Sequence, residues 1–582
     1  MAYSQISTLP HYYYLCVHDK KQCGMDRKKL PIGISDYKLL IEEDYYYVDK
    51  TDFIRQMIEE GSLITLLPRP RRFGKTLNLS TLRYFFEKTE GNIYRPLFEE
   101  KNITQWKDFD RYQGKYPVIM ITLKDCKGET FEDTLYQVKI QMQQEFERHR
   151  YLLDDQLSEL DRLWFDQILR LQADEIMIQN SLHLLSGLLA THWGMPPLVL
   201  LDEYDTPIHV AFDKGYYDRM IGFMRNFMSL VFKDNTDIFR GVITGILRVS
   251  KESIFSGLNN IDVDTILELP MCTSFGFTQE ETDRMLTDYS LGGQKDEVKN
   301  WYNGYLFGDQ TVYNPWSVLS FINKGGVLAP YWVNTGSDVL LRHLLADGPS
   351  QIRKGVESLI QGEPVRSVIN DKLAFPDLLA KPVNIWSFML FSGYLKASAP
   401  ALNQDDLFEY DLQIPNREVK TVYRTIIQSW IDGGPVKNDR LELMLQALRA
   451  GDIEYFEELL NDFVVHTFSY YDTNGREPEK VYQAFLLGML AGMSDYEVSS
   501  NRESGFGRYD ILLRPKGGKG QAVIMELKRL RPNETVEKAL SSALQQIEDK
   551  QYDTVLRCDG FTDILKMAIT FDGKRVWIKT AE

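Results

Sequence analysis

The chain has 582 residues, 43% hydrophobic and 26% charged, which excludes a disordered polypeptide and leaves room for several domains with large cores. Its net charge of −16 excludes indiscriminate coating of nucleic acid while leaving a local basic site open. Five scattered cysteines, an odd number with no Cys-x-x-Cys pair, fit free thiols in a reducing cytoplasm.

Residues 1–28 read as an extension without periodicity, either a poorly ordered arm or an overlong gene start ahead of Met25. Cys16, His18 and Cys23 offer three zinc ligands, and no fourth is evident. The start lacks the basic and apolar regions of a signal peptide. The apolar stretch 181–201 is broken by His192 and Pro196-Pro197, and 484–493 is too short to span a bilayer, so a soluble cytoplasmic protein is expected.

After a helix over 53–60, a short apolar run, 63–67, suits a buried strand. It leads through Pro68-Arg69-Pro70-Arg71-Arg72-Phe73 into Gly74-Lys75-Thr76 and a helix over 77–87. Strand, loop, Gly-Lys-Thr and helix is the context of a phosphate-binding loop. Gly74 admits a phosphate close to the backbone, Lys75 offers an ammonium, Thr76 offers Mg²⁺ a hydroxyl, and the helix start adds N–H groups. Arg72 is a further candidate nucleotide contact. Arg69 stands where such loops usually have their first Gly, and Arg69, Arg71 and Arg72 crowd the loop with charge. The competing reading is a basic turn before a helix.

A second strand is expected over 117–123, a long charged helix from 131 to about 173, and another helix over 181–193. Pro197 to Asp205 then gives a buried strand with acids at its C-terminal end, where open α/β sheets place ligands. Asp202 is suited to hold Mg²⁺, and Glu203 to orient or deprotonate an attacking water. After a helix over 216–233, Thr244 ends the strand 239–244 and can sense a terminal phosphate; Arg248 is a candidate charge-stabilising arginine, in its own subunit or a neighbour's. The alternation predicts a mostly parallel sheet covered on both faces. Thr278 and Glu281 mark a capped helix opening an aromatic-rich helical lid, 276–334, whose aromatics read as core, and 335–463 read as mainly helical.

The C-terminal part, 464–582, changes character. A helix over 479–493 precedes strands over 496–503, 508–513 and 521–528, with Gly517 to Gly520 as the last turn. Glu526 and Lys528 share one strand face, and Asp510 opens the neighbouring strand beside Glu526. Two carboxylates and a lysine suit a Mg²⁺-dependent phosphodiesterase: Asp510 and Glu526 bind metal and Lys528 positions water or balances charge. Arg502, Arg508, Arg514, Lys516, Lys519, Arg529 and Arg531 could hold a phosphate backbone. The competing reading is an exposed hairpin with ordinary charges.

The chain resembles bacterial proteins that fuse an AAA-ATPase-like domain to a C-terminal PD-(D/E)XK nuclease-superfamily domain. The resemblance rests on Pro31-Ile32-Gly33, on Tyr47 to Thr51, on Arg69 to Thr76, on Leu201 to Asp205 and on Phe255 to Asn260. At the other end it rests on Ser500 to Asp510 and on Glu526-Leu527-Lys528. It implies a P-loop NTPase domain, 29–275, with helical lid and middle region, and an α/β restriction-endonuclease-like domain. It also implies that Arg69 is normal in this loop, that Asp510, Glu526 and Lys528 are the nuclease signature with Tyr509 at the position of the Pro, that Gln546 and Tyr552 belong to an accompanying helix motif, and that Glu503 is an additional acid. The expectation is an ATP- and Mg²⁺-using protein whose P-loop domain controls a nuclease acting on DNA, with RNA open, no membrane, a homo-oligomer compatible, and defence or mobile-element biology by analogy alone. The rival is an ATP-dependent switch whose nuclease fold binds nucleic acid or a protein without cutting. A third reading keeps the nuclease active over a purely structural P-loop.

Overall fold

A computed structural model of the chain describes residues 27–155, 157–248, 261–332, 350–373, 375–378, 381–423, 438–467, 478–490, 493, 495–518, 520–531, 533–573 and 575–581. The Cys16, His18 and Cys23 group, the Phe255 to Asn260 motif and Lys519 lie outside them.

The first sheet contains β1 (Ile64–Pro68), β2 (Val118–Thr122), β3 (Leu198–Asp202), β4 (Arg240–Gly245) and β5 (Ile261–Val263). Their order is β2-β3-β4-β1-β5 and every pairing is parallel. All five residues of β1 and of β3 are buried, because helices cover both faces and no face is left for water. The parallel order brings the C-terminal ends of β1, β3 and β4 together, and the loop after β1 opens there. On the outer edge of β2, the Glu145 carboxylate accepts from the Met120 amide at 2.9 Å and Arg148 donates to the Val118 carbonyl, so a helix closes an edge that would otherwise template further strands.

That helix, Phe131–Arg148, has a Thr130–Asp133 capping box. It does not run on to Ala173. The chain turns at a 3-10 segment, Arg150–Asp154, and restarts as Glu159–Leu169, capped by the Ser158 side chain on the Asp161 amide. The turn is held by buried polar groups, Glu145 and His149, that charge counting alone assigns to solvent.

Beyond β5, the Thr278–Glu281 capping box opens helix Gln279–Asp288 as expected, followed by Lys295–Tyr302 and Pro315–Asn323. These share a small core that includes Leu286, Tyr302 and Phe321. A hairpin, β6 (Tyr305–Phe307) and β7 (Gln310–Val312), sits among them. The following region carries helices and also an antiparallel sheet, ordered β8-β10-β9, of β8 (Val365–Val368), β9 (Lys396–Leu402) and β10 (Phe408–Gln413). Its strand signal is weak because Lys396–Leu402 contains no β-branched residue.

The C-terminal sheet contains β11 (Tyr496–Ser500), β14 (Ile511–Pro515), β15 (Ala522–Arg529), β16 (Ile564–Asp572) and β17 (Arg575–Thr580), in that order, with β15 and β16 parallel. A separate hairpin, β12 (Glu503–Ser504) and β13 (Gly507–Arg508), interrupts the strands expected over 496–503 and 508–513. The edge of β17 is closed by helix Ile453–Thr467: the Asn461 amide bonds to both Val576 backbone groups, at 2.8 and 2.9 Å, and Glu457 accepts from the Ile578 amide. Among the described residues no helix is long and apolar enough to cross a membrane.

Candidate functional sites

Gly74, at φ 89°, turns the loop into helix Lys75–Phe86, a conformation that a side chain would strain. Lys75 is buried, and its Nζ donates to the carbonyls of Arg69 and Pro70 at 3.0 and 3.1 Å. Burial holds its pKa below the usual lysine range, against the pull of Glu203, Asp202 and Asp205. Thr76 Oγ1 donates to Asp202 Oδ2 at 2.8 Å, and Thr244 Oγ1 donates to Asp202 Oδ1 at 2.6 Å. Burial raises the Asp202 pKa, opposed by the hydrogen bonds from Thr244 and Thr76. Glu203 follows with φ 50° and accepts from Thr206 Oγ1 at 3.2 Å. Two separated segments thus converge on one carboxylate at the end of β3.

Arg71 and Arg72 stay with Lys75 around the loop. Arg69 is fully buried and points away from it. Its guanidinium donates to Asp264 Oδ1 at 2.9 Å and to the Asp264 carbonyl at 2.5 Å, and lies over the Phe275 ring. It therefore pins the end of β1 to the segment after β5. Arg72 lies over the Trp316 indole, 4.3 Å from the ring centroid, and the Trp332 indole donates to the Arg71 carbonyl at 3.2 Å. Arg248 pairs with Asp371 at 2.8 Å. Asp205, one acid further than the pair singled out by sequence, is buried and accepts from the amides of Ile246 and Leu247, which braces the turn after β4. Asp264, Trp316 and Asp371 carry no local motif; a charge pattern over the loop cannot reveal partners so distant in sequence.

A cavity of about 740 Å³ extends from Gly74, Lys75, Thr76 and Glu203 to Ile34, Tyr46, Val48 and Trp316. The residues fit a nucleoside phosphate with a hard cation. The Lys75 ammonium rests on carbonyls of its own loop, and the Thr76 hydroxyl and Asp202 carboxylate are the oxygen donors that Mg²⁺ prefers.

In the C-terminal sheet, Ile511 stands opposite Met525, and continuing that antiparallel register by one residue sets Asp510 opposite Glu526. Asp510 Oδ2 accepts from the Leu527 amide at 2.8 Å. Lys528 Nζ donates to Glu526 Oε1 at 3.0 Å and to Gln546 Oε1 at 2.8 Å. Gln546 Nε2 donates to Glu526 and, at 3.1 Å, to the Tyr552 hydroxyl. Glu526 is buried, whereas Lys528 is partly open. Tyr509 is buried, and its hydroxyl lies 2.9 Å from Ser499 Oγ. Glu503 is exposed and pairs with Arg508 at 3.4 Å, while Arg514 pairs with Asp559 at 2.7 Å, so two of the basic residues already face acids.

No group of three or more His, Cys, Asp or Glu side chains gathers at metal-binding distance among the described residues. Two carboxylates fit Mg²⁺, which commonly keeps several waters and takes only one or two protein carboxylates together with substrate phosphate.

Residues 31–255 match the family described as predicted AAA-ATPase, and residues 477–581 match the PD-(D/E)XK nuclease superfamily. An uncharacterized protein in the vnfD 5' region of Azotobacter chroococcum mcd 1 is 26% identical over 543 residues, covering 92% of this chain and 95% of that protein. A match of that length overlaps both matched regions and covers the stretch between them. The chain therefore joins a predicted AAA-ATPase domain to a PD-(D/E)XK nuclease-superfamily domain.

Proposed function

We propose that the chain binds and hydrolyses ATP with Mg²⁺ at the phosphate loop, and that nucleotide state governs a Mg²⁺-dependent phosphodiesterase site acting on nucleic acid, DNA before RNA. The division of labour is 29–275 for nucleotide, 276–334 as lid, 335–463 as connection and 464–582 for cleavage. The supporting observation is the grip on the loop from outside the sheet: Trp316 and Trp332 hold Arg72 and Arg71. Both tryptophans are tied to the middle region, because buried Glu418 accepts from the Trp332 amide and from Ser317 Oγ, each at 2.7 Å. A phosphate that displaces the loop carbonyls from Lys75 shifts the loop, and the loop cannot shift without the lid.

At the first site Lys75 exchanges its carbonyl partners for phosphate oxygens, and Thr76 and Asp202 hold the cation. Glu203 orients the attacking water, and Thr244, bonded to Asp202, reports the terminal phosphate. Arg248 balances its charge once released from Asp371, so that role depends on the same rearrangement. At the second site a bound divalent cation supplies a Lewis acid and acidifies a water. Asp510 and Glu526 hold it, and Lys528, kept in place by Gln546, positions the water.

The test is cleavage of single- and double-stranded DNA and RNA with Mg²⁺ or Mn²⁺, with and without ATP. Glu526→Gln is expected to lower cleavage at least about 100-fold, the scale of losing a group that stabilises transition-state charge. Lys75→Ala is expected to remove ATP turnover and the ATP dependence of cleavage. Cleavage that survives Glu526→Gln and Asp510→Ala sinks the site assignment; ATP-dependent cleavage without phosphate release selects a structural P-loop. The net charge of −16 and the Arg508 and Arg514 ion pairs favour one rival, a switch that binds without cutting. Nucleic-acid or protein binding with no cleavage under any condition selects it.

A further inference from the structure

Among the described residues Phe506 is the most exposed large apolar side chain, at 72%. A single exposed phenylalanine needs no explanation by itself. This one stands on a backbone that is fixed from three directions. The β12–β13 pairing leaves Gly505-Phe506 as a two-residue loop with φ 58° at Gly505, the position a type II′ hairpin reserves for glycine. The Phe506 amide donates to the Lys550 carbonyl at 2.7 Å, and Ser504 Oγ donates to the Tyr552 carbonyl at 2.7 Å. A Cβ at Gly505 would fall 2.2 Å from the Lys550 carbonyl oxygen, and one at Gly507 would fall 3.1 Å from the Tyr552 ring. The two glycines let the hairpin press onto the Lys550–Tyr552 turn, and the only side chain left at the tip is the aromatic one.

That turn belongs to the cleavage site. The Tyr552 hydroxyl accepts from the Gln546 amide, the same amide that donates to Glu526. Gly507, one residue from Phe506, packs on Tyr552, so the hairpin that carries the exposed ring adjoins the tyrosine bonded to Gln546. Its exposed neighbours include Arg502, Lys550 and Arg508, the last paired with Glu503, and not an apolar patch of the kind a protein partner covers. A rigid aromatic flanked by cations is the pairing that holds single strands, with bases on the ring and phosphates on the charges. In an intact duplex the base faces are covered by their neighbours, and only an unpaired or extruded base offers one.

Resting on the nuclease reading above, we propose that Phe506 stacks on an unpaired base of the strand whose phosphate lies at Glu526 and Lys528, so that the substrate is single-stranded or locally unpaired nucleic acid.

The experiment uses the full chain, with wild type, Phe506→Ala, Phe506→Trp and Glu526→Gln. Affinity is measured for a labelled single-stranded DNA, its RNA counterpart and its blunt duplex without divalent cation, so that no strand is cut; cleavage is then measured with Mg²⁺. Phe506→Ala is expected to weaken single-strand binding roughly 5- to 150-fold, the range of losing one base–aromatic stack. Duplex binding should be unchanged, and Phe506→Trp should restore the wild-type value. Equal single-strand affinity for wild type and Phe506→Ala overturns the stacking role, and Glu526-dependent cleavage in the same series shows that the nuclease reading stands. A Phe506→Ala loss that is equal on duplex and single strand overturns the substrate class. Cleavage that persists in Glu526→Gln removes the nuclease assignment, while the binding comparison still decides the stack. No binding of any nucleic acid overturns both.

Discussion

The two candidate sites are assembled in opposite ways. The phosphate loop is held by groups far away in the chain: Arg69 by Asp264, Arg72 by Trp316, the Arg71 carbonyl by Trp332, and Trp332 by Glu418. The C-terminal cluster is local, with Asp510, Glu526, Lys528, Gln546 and Tyr552 bonded to one another or to an adjoining backbone within one small sheet and its helix. A site fixed by distant elements is sensitive to how those elements sit, which suits a sensor. A site whose groups fix each other keeps its geometry, which suits chemistry that is switched from elsewhere.

The most severe way to break this contrast is at Arg69. Arg69→Met removes one half of a buried ion pair and leaves Asp264 without its counter-charge, at a cost of about 3–5 kcal/mol. Burial already raises the Asp264 pKa, with Arg69 opposing it. Without Arg69 the carboxyl is held protonated to higher pH, so the cost is smaller in acid than at neutral pH. Asp264→Asn in addition should recover part of the stability. Urea unfolding at pH 5 and pH 8 reads this, and a shift below about 1 kcal/mol at pH 8 means that the loop is not pinned there.

What could be read from the chain follows the same contrast. Gly74-Lys75-Thr76, the acids after β3 and the alternation that sets Glu526 beside Lys528 are short-range patterns, and each maps onto one element. Asp510 at the start of the neighbouring strand was expected to be able to lie beside Glu526, and the antiparallel register, continued by one residue, sets it opposite. The direction of Arg69 was not legible: a loop arginine reads as solvated until Asp264, 195 residues on, supplies a buried partner. In the β8-β10-β9 sheet, β9 and β10 hold no β-branched residue and β8 is only four residues long, and the break after Arg148 was hidden by a polar cluster that is buried. The N-terminal cysteines and the Phe255 to Asn260 motif lie outside the described residues.

Glu418 gives the second largest effect, and one with a definite sign. Burial pushes its pKa up to about 7, against the hydrogen bonds it accepts from Trp332 and Ser317. The unfolded chain ionises near the ordinary glutamate value, about 4.3, while the folded carboxyl stays protonated until about 7. Its contribution to stability is therefore fully present below about 4.3 and is lost as pH rises to about 7, on the order of 3 kcal/mol across that window. Glu418→Gln can still accept from the Trp332 amide and donate to Ser317 Oγ. Stability profiles should be flatter for the variant between those pH values, and identical slopes would show that Glu418 is not the titrating group.

Gln546 tests the self-contained side of the comparison. Gln546→Leu removes the acceptor for Lys528 and a donor to Glu526, and a hydrogen bond to a charged group contributes about 1.5–3 kcal/mol. If cleavage proceeds as proposed, kcat falls roughly 10- to 100-fold while KM holds, because the amide orients groups and touches no substrate. A change confined to KM would place Gln546 on the nucleic acid itself.

Trp316 sharpens the distant side with the smallest effect. Its indole under Arg72 is a cation–π contact of about 0.5–2 kcal/mol, depending on how far it is desolvated. Trp316→Leu keeps an apolar side chain on helix Pro315–Asn323 but removes the ring face, so the helix stays packed while Arg72 is released. If the lid only shields the cavity, ATP affinity drops a few-fold and nothing else changes. If the lid transmits nucleotide state, the ratio of cleavage with and without ATP falls toward one even at saturating ATP, where affinity no longer matters. Trp301→Leu is the matched control, because Trp301 holds Arg417 in the same way, at 4.9 Å, without touching the loop. A loss of coupling in Trp316→Leu but not in Trp301→Leu assigns the connection to the loop contact itself, and equal behaviour of the two variants removes Trp316 from it.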